Sequence, residues 1–157
     1  MYHSIITDNV TTYLHNVNGT PSDLLYENNV FQEIGESGRL GIPISLSCDR
    51  SYNTFAGMVN MANYAFGIAD DEELLSTMVS AYAKELRALG FTIPFHSYGV
   101  EIGSWYGEDP NNVADMIAVE TKAYEDNGVS ACTKHFMMRS EERRVGKECR
   151  SRWSPYH

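Results

Sequence analysis

Three positions put polar, reactive side chains directly after short apolar runs of the chain. Asp49 follows the first run, His96 and Ser97 follow the second, and Lys134 with His135 lies near the end of the third. In α/β proteins with parallel strands, binding and catalysis gather where strands end. We therefore treat these positions as candidate site residues. The structural alternatives are a turn or cap role for Asp49, an exposed Lys134 and a core His135.

Two further groups near the centre of the sequence invite a chemical interpretation. Glu108 and Asp109 are adjacent carboxylates, but helix capping accounts for Asp109, and Glu108 is interpreted as a turn residue. Trp105 and Tyr106 are candidates for stacking on a ligand ring. The structural alternative is packing in the core, which is the more frequent role of aromatic residues beside a helix start. The five His and the Cys residues are scattered without metal-ligand spacing, so we predict no metal and no cofactor.

Helices are predicted where capping residues precede an apolar face. Thr20 and Asp23 suit the N-cap and third position of one helix, Asp70 begins an acidic start to a second, and Asp109 with Pro110 opens a third. The predicted helices cover about 21–37, 71–89 and 111–127.

Strands are predicted from apolar runs that are too short for helices. They are Ile42–Cys48, Phe91–Phe95 and Val129–Phe136, and Pro94 weakens the second unless it lies at the end of the strand. Buried strands that alternate with amphipathic helices indicate parallel pairing, so the predicted class is α/β. The periodicity leaves a barrel and an open sheet equally possible.

Four segments in sequence order resemble the N-terminal barrel domain of family 3 glycoside hydrolases. They are RLGIPISLSCD (39–49), AKELRALGF (83–91), YGEDPNNVADM (106–116) and VSACTKHF (129–136). The resemblance implies an incomplete TIM-type (β/α)8 barrel, with parallel strands and outer helices, within residues 1–138.

The resemblance also implies a function for the protein from which this segment comes. Family members are β-glucosidases and β-N-acetylhexosaminidases, in which an Asp nucleophile forms a glycosyl-enzyme and a separate acid protonates the leaving oxygen. The family nucleophile lies beyond the Lys-His strand, so we expect no catalytic nucleophile in this chain. Asp49 would accept hydrogen bonds from sugar hydroxyls, and Lys134 and His135 would donate them. Because adjacent strand residues point to opposite faces, this Lys-His pair requires distorted backbone.

The chain departs from the family pattern at several positions. Ser97 stands where many members have Asp, and Ser104 stands where they have Arg. These departures indicate a divergent branch of the family. The alternatives are a non-catalytic carbohydrate-binding homologue and, further off, an unrelated α/β binding protein.

Charge divides the chain into two parts. Arg139–His157 holds six of the twelve Lys and Arg residues and resembles the translation of a sequencing adapter, so we predict a disordered, non-native tail; a basic tail that binds nucleic acid is the alternative. Residues 1–138 carry 6 basic and 18 acidic side chains, a formal charge of −12. This balance argues against nucleic acid and anionic membranes as partners and leaves a carbohydrate substrate as the expected one.

Overall fold

The computed structural model describes residues 12–15, 20–48, 63–96 and 106–133. The strands are β1 (Thr12–His15), β2 (Ser45–Cys48), β3 (Ile93–His96) and β4 (Cys132–Thr133); the helices are α1 (Pro21–Glu36), α2 (Asn63–Ala69), α3 (Glu72–Ala88) and α4 (Pro110–Asp126). The predicted tail, Arg139–His157, lies outside the described residues.

Within the described ranges the strands form one parallel sheet in the order β1-β2-β3-β4. One helix follows β1, two follow β2 and one follows β3, and residues of all four helices enter a single apolar core with β2. A consecutive order of parallel strands with crossovers of one hand keeps the helices on one face, as in a (β/α) barrel. The predicted fold class, part of a TIM-type barrel with parallel strands and outer helices, is confirmed.

N-cap residues define the starts of the long helices; Thr20 and Asp109 were predicted as caps, and Asp71 belongs to the predicted acidic start. The Thr20 hydroxyl accepts a hydrogen bond from the Asp23 N–H (3.2 Å), and Asp23 Oδ2 accepts from the Thr20 N–H (2.9 Å). The Thr20 hydroxyl also donates to this carboxylate, and these hydrogen bonds lower the pKa of Asp23. Asp71 caps α3 through the Leu74 N–H (2.9 Å), and Asp109 caps α4. All three predicted helices are confirmed, with bounds within about two residues.

Each predicted strand is present and begins two or three residues later than the apolar run that signals it. Pro94 is buried as the second residue of β3, although a proline removes one N–H from the ladder. Among the described residues, β2 pairs with β3 at Ser47 with Ile93 and at Cys48 with Pro94.

The two faces of the sheet differ in their contacts. Leu46 and Cys48 are fully buried in the core shared with the helices, and the register puts Pro94 beside Cys48 on that face. Side chains alternate along a strand, so Ser47 and Phe95 belong to the opposite face. Ser47 is the buried residue of that opposite face. The other residues there are partly exposed: Ser45, Ile93, Phe95 and Cys132.

Helix α1 fixes the start of β2 through one side-chain amide. Gln32 Nε2 donates to the Ile44 carbonyl (2.7 Å), and Gln32 Oε1 accepts from the Ile44 N–H (2.9 Å). The amide thus satisfies both backbone groups of Ile44, as a neighbouring strand would.

Gln32→Glu is expected to lower the free energy of unfolding by about 1–3 kcal/mol, because a carboxylate cannot donate to the Ile44 carbonyl and leaves it unsatisfied. Urea unfolding followed by circular dichroism measures the change. The exposed Glu33→Gln serves as the control and should change stability by about 0.5 kcal/mol or less. Equal effects at both positions would contradict the role of this amide.

Candidate functional site

The candidate site is the edge of the sheet where β2, β3 and β4 end. Because the strands are parallel, their last residues, Cys48, His96 and Thr133, lie at one edge. The predicted site residues come directly afterwards in sequence: Asp49 follows Cys48, and Lys134 with His135 follows Thr133. Asp49, Lys134, His135, Ser97 and Ser104 lie outside the described residues, and so does the side chain of His96. Their predicted roles remain predictions.

The strand register relates the described residues at this edge. Cys48 pairs with Pro94, whereas Thr133 pairs with His96, so Thr133 lies two residues further along the sheet than Cys48. With strands about 5 Å apart and a rise of about 3.3 Å per residue, these two residues are offset by about 10 Å across and about 7 Å along the sheet.

Two tyrosines of neighbouring helices belong to the apolar core. Tyr82 of α3 and Tyr124 of α4 are buried and meet edge to face, with centroids 6.4 Å apart. Burial, followed by the nearby charges of Cys48 and Glu85, raises the pKa of Tyr82 far above its ordinary value. The Tyr82 hydroxyl therefore stays protonated across the physiological pH range.

A buried carboxylate was not anticipated from the sequence. Glu120 is fully buried on α4, and its Oε2 accepts a hydrogen bond of 2.9 Å from the Tyr106 hydroxyl. A signal did exist, because Glu120 lies four residues from both Met116 and Tyr124 and so shares their apolar face. That spacing identifies the position as interior despite its charge.

The other candidates near α4 have structural roles. Tyr106 packs in the core, as the preference for aromatic residues beside a helix start predicts. Asp109 accepts a hydrogen bond from the Asn111 N–H (2.8 Å), and Glu108 is an exposed bend residue before the helix. Trp105 lies outside the described residues.

Within the described part of the chain, no three His, Cys, Asp or Glu side chains are grouped closely enough to hold a metal ion. No helix in the same residues combines the length and apolar character that a membrane crossing requires.

The fold is shared with solved glycosidase structures. A family 3 β-N-acetylglucosaminidase from Paenibacillus sp. matches 86% of the chain with a TM-score of 0.74 and 23% identity. NagZ from Neisseria gonorrhoeae, solved with N-trifluoroacetyl-D-glucosamine, matches 88% with a TM-score of 0.75 and 16% identity. At these identities the similarity establishes the fold alone.

A sequence match supplies the relationship. A periplasmic β-glucosidase/β-xylosidase from Dickeya chrysanthemi is 29% identical over 127 residues, which cover 69% of this chain. This chain is similar in sequence to that enzyme, and in fold to solved family 3 glycosidases. No protein-family model matches it. The resemblance that the sequence predicts is confirmed at this overall level.

The chain spans less than half the length of each of these proteins. It covers 19% of the Dickeya protein, 28% of the Paenibacillus chain and 46% of the Neisseria chain. The similarity therefore describes a segment of a barrel domain and does not extend to the activity of a whole protein.

Proposed function

We propose that the chain forms part of the sugar-binding barrel of a retaining glycosidase that acts on β-glucosides or β-N-acetylhexosaminides. In this proposal Asp49 accepts hydrogen bonds from sugar hydroxyls, while Lys134 and His135 donate them. One observation carries it: β2, β3 and β4 end at one edge of the sheet in a fold shared with family 3 glycosidases. The names of the relatives cover both sugar classes.

Strand alternation supports the pairing of Asp49 with Lys134. Ser47 and Cys132 belong to the sheet face opposite the helices. If the alternation continues past the described strands, Asp49 shares the face of Ser47, and Lys134 shares the face of Cys132. His135 then joins them only through an irregular backbone.

The proposed chemistry divides between this segment and the rest of a barrel. A retaining glycosidase needs a nucleophilic carboxylate and an acid about 5 Å apart. By the family resemblance the nucleophile comes after the Lys-His strand. The present residues would therefore bind and orient the sugar, and a carboxylate from a later strand would attack it.

Sugar binding tests the proposal directly. Methyl β-glucoside and N-acetylglucosamine are titrated against the chain and followed by protein NMR. Asp49→Ala is expected to weaken binding of the preferred sugar by about 10- to 100-fold, because a hydrogen bond to a charged group contributes about 1.5–3 kcal/mol.

The matched control is Asp126→Ala, which removes an equal charge from an exposed position at the end of α4. Its carboxylate there pairs only with exposed Lys122 among the ion pairs of the described residues. Asp126→Ala should leave sugar affinity unchanged. Equal affinity in Asp49→Ala and the parent chain would refute the assigned site.

A non-catalytic sugar-binding homologue is the second candidate. Ser97 and Ser104, which replace the expected Asp and Arg, favour it because they remove two polar contacts. Coding sequence downstream of residue 138 distinguishes the candidates: a strand-end Asp in the nucleophile position supports the enzyme, and its absence supports the binding protein.

A further inference from the structure

Two side chains of α4 form hydrogen bonds with Tyr106, one with its hydroxyl and one with its backbone carbonyl. Its hydroxyl donates to Glu120 Oε2 (2.9 Å) in the third turn of the helix, and its carbonyl accepts from Asn112 Nδ2 (3.2 Å) in the first turn. Tyr106 is 1% exposed and Glu120 is 0% exposed, so the hydroxyl-carboxylate bond is shielded from water. We refer to these two side chains as the Tyr106–Glu120 pair.

Stability alone is a poor explanation for this pair. Burying a carboxylate carries a large desolvation cost, and apolar side chains of similar volume are often as stable or more so. A buried polar pair instead favours one arrangement, because displacement of either partner breaks the hydrogen bond that joins them. The pair therefore specifies where Tyr106 sits.

The location of Tyr106 gives that specificity a use. Residues 97–105 connect β3 to α4 in sequence, and Tyr106 is the first described residue after them. Gly107 follows with a φ of +99°, a conformation that glycine adopts without the strain of a Cβ.

We infer that Glu120 is a positioning residue, whose hydrogen bond to Tyr106 fixes the junction between the β3–α4 connection and α4. Its influence on ligand binding rests on the proposed function, since the connection begins at the edge assigned to the sugar. The restraint on the junction itself does not depend on that proposal.

Hydrogen exchange measured by mass spectrometry tests the inference on the full chain. Tyr106→Phe retains the ring and removes the donor, so exchange in residues 106–113 should accelerate about tenfold while exchange in α3 stays unchanged. Glu120→Ala should reproduce this local effect. Glu120→Gln keeps an acceptor oxygen and should restore slow exchange.

Tyr124→Phe is the matched control, because Tyr124 is an equally buried tyrosine on α4 that contacts Tyr82. It should leave exchange in residues 106–113 unchanged. Unaltered exchange in Tyr106→Phe, equal acceleration in Tyr124→Phe, or acceleration spread evenly over α3 and α4 would each overturn the positioning role.

Titration with the two sugars separates this inference from the proposed function. Local acceleration with weakened sugar binding in Tyr106→Phe supports both. Local acceleration in a chain that binds neither sugar supports the positioning role and refutes the proposed function.

Discussion

Leu75→Ala is expected to lower the free energy of unfolding by about 2–5 kcal/mol, the usual cost of a cavity at a fully buried leucine. Leu75 is 0% exposed on α3 and belongs to the core that joins the helices to the sheet. Urea unfolding followed by circular dichroism measures the loss.

Leu25→Ala is the control for this substitution, because Leu25 is 41% exposed on α1. It should cost about 0.5 kcal/mol or less. Similar losses at the two positions would mean that the core does not lie between the helices and the sheet as described.

The chain by itself is expected to release no 4-nitrophenol from aryl β-glucosides or aryl β-N-acetylglucosaminides above the rate of a blank. Retaining hydrolysis needs the nucleophilic carboxylate, which the family resemblance assigns to a later strand. Enzymes accelerate such reactions by at least about 10⁶-fold, so an active site would be easily detected. Asp49→Ala is the control: turnover that survives purification and disappears in this variant would contradict the expectation.

Much of the fold could be predicted because its helices carry strong local signals. Each long helix has its capping residue directly before it: Thr20, which pairs with Asp23, then Asp71, and Asp109. No distant contact is needed to recognise such a start. The strands were harder, because a run such as Ile42–Cys48 shows where a strand lies without fixing which residues find hydrogen-bonding partners. Partners come from residues far along the chain, and pairing confines β2 to Ser45–Cys48.

Two short elements were missed for related reasons. β1 has four residues, and its pairing with β2, not a local pattern, makes it a strand. The seven-residue helix α2 lacks a strong cap signal and contains Gly67, a weak helix former. Phe66 secures it by packing in the core, a contact that sequence does not reveal.

One part of the candidate site could be predicted and another could not. The edge of the sheet was predictable, because alternating strands and helices imply parallel strands whose ends lie at one edge. The Tyr106–Glu120 pair was not predicted, because a glutamate on a helix is usually solvated and only the folded chain identifies its partner fourteen residues earlier.

Among the described residues, the sheet carries one thiol on each of its faces. Cys48 is fully buried on the side of the helices, whereas Cys132 is partly exposed on the opposite face, and neither forms a disulfide. Alkylation needs an accessible thiolate, so we expect Cys132 to react in the folded state. Cys48 should react only when local unfolding separates the helices from the sheet. The ratio of the two labelling rates is therefore a direct gauge of how often α3 and α4 detach from the sheet.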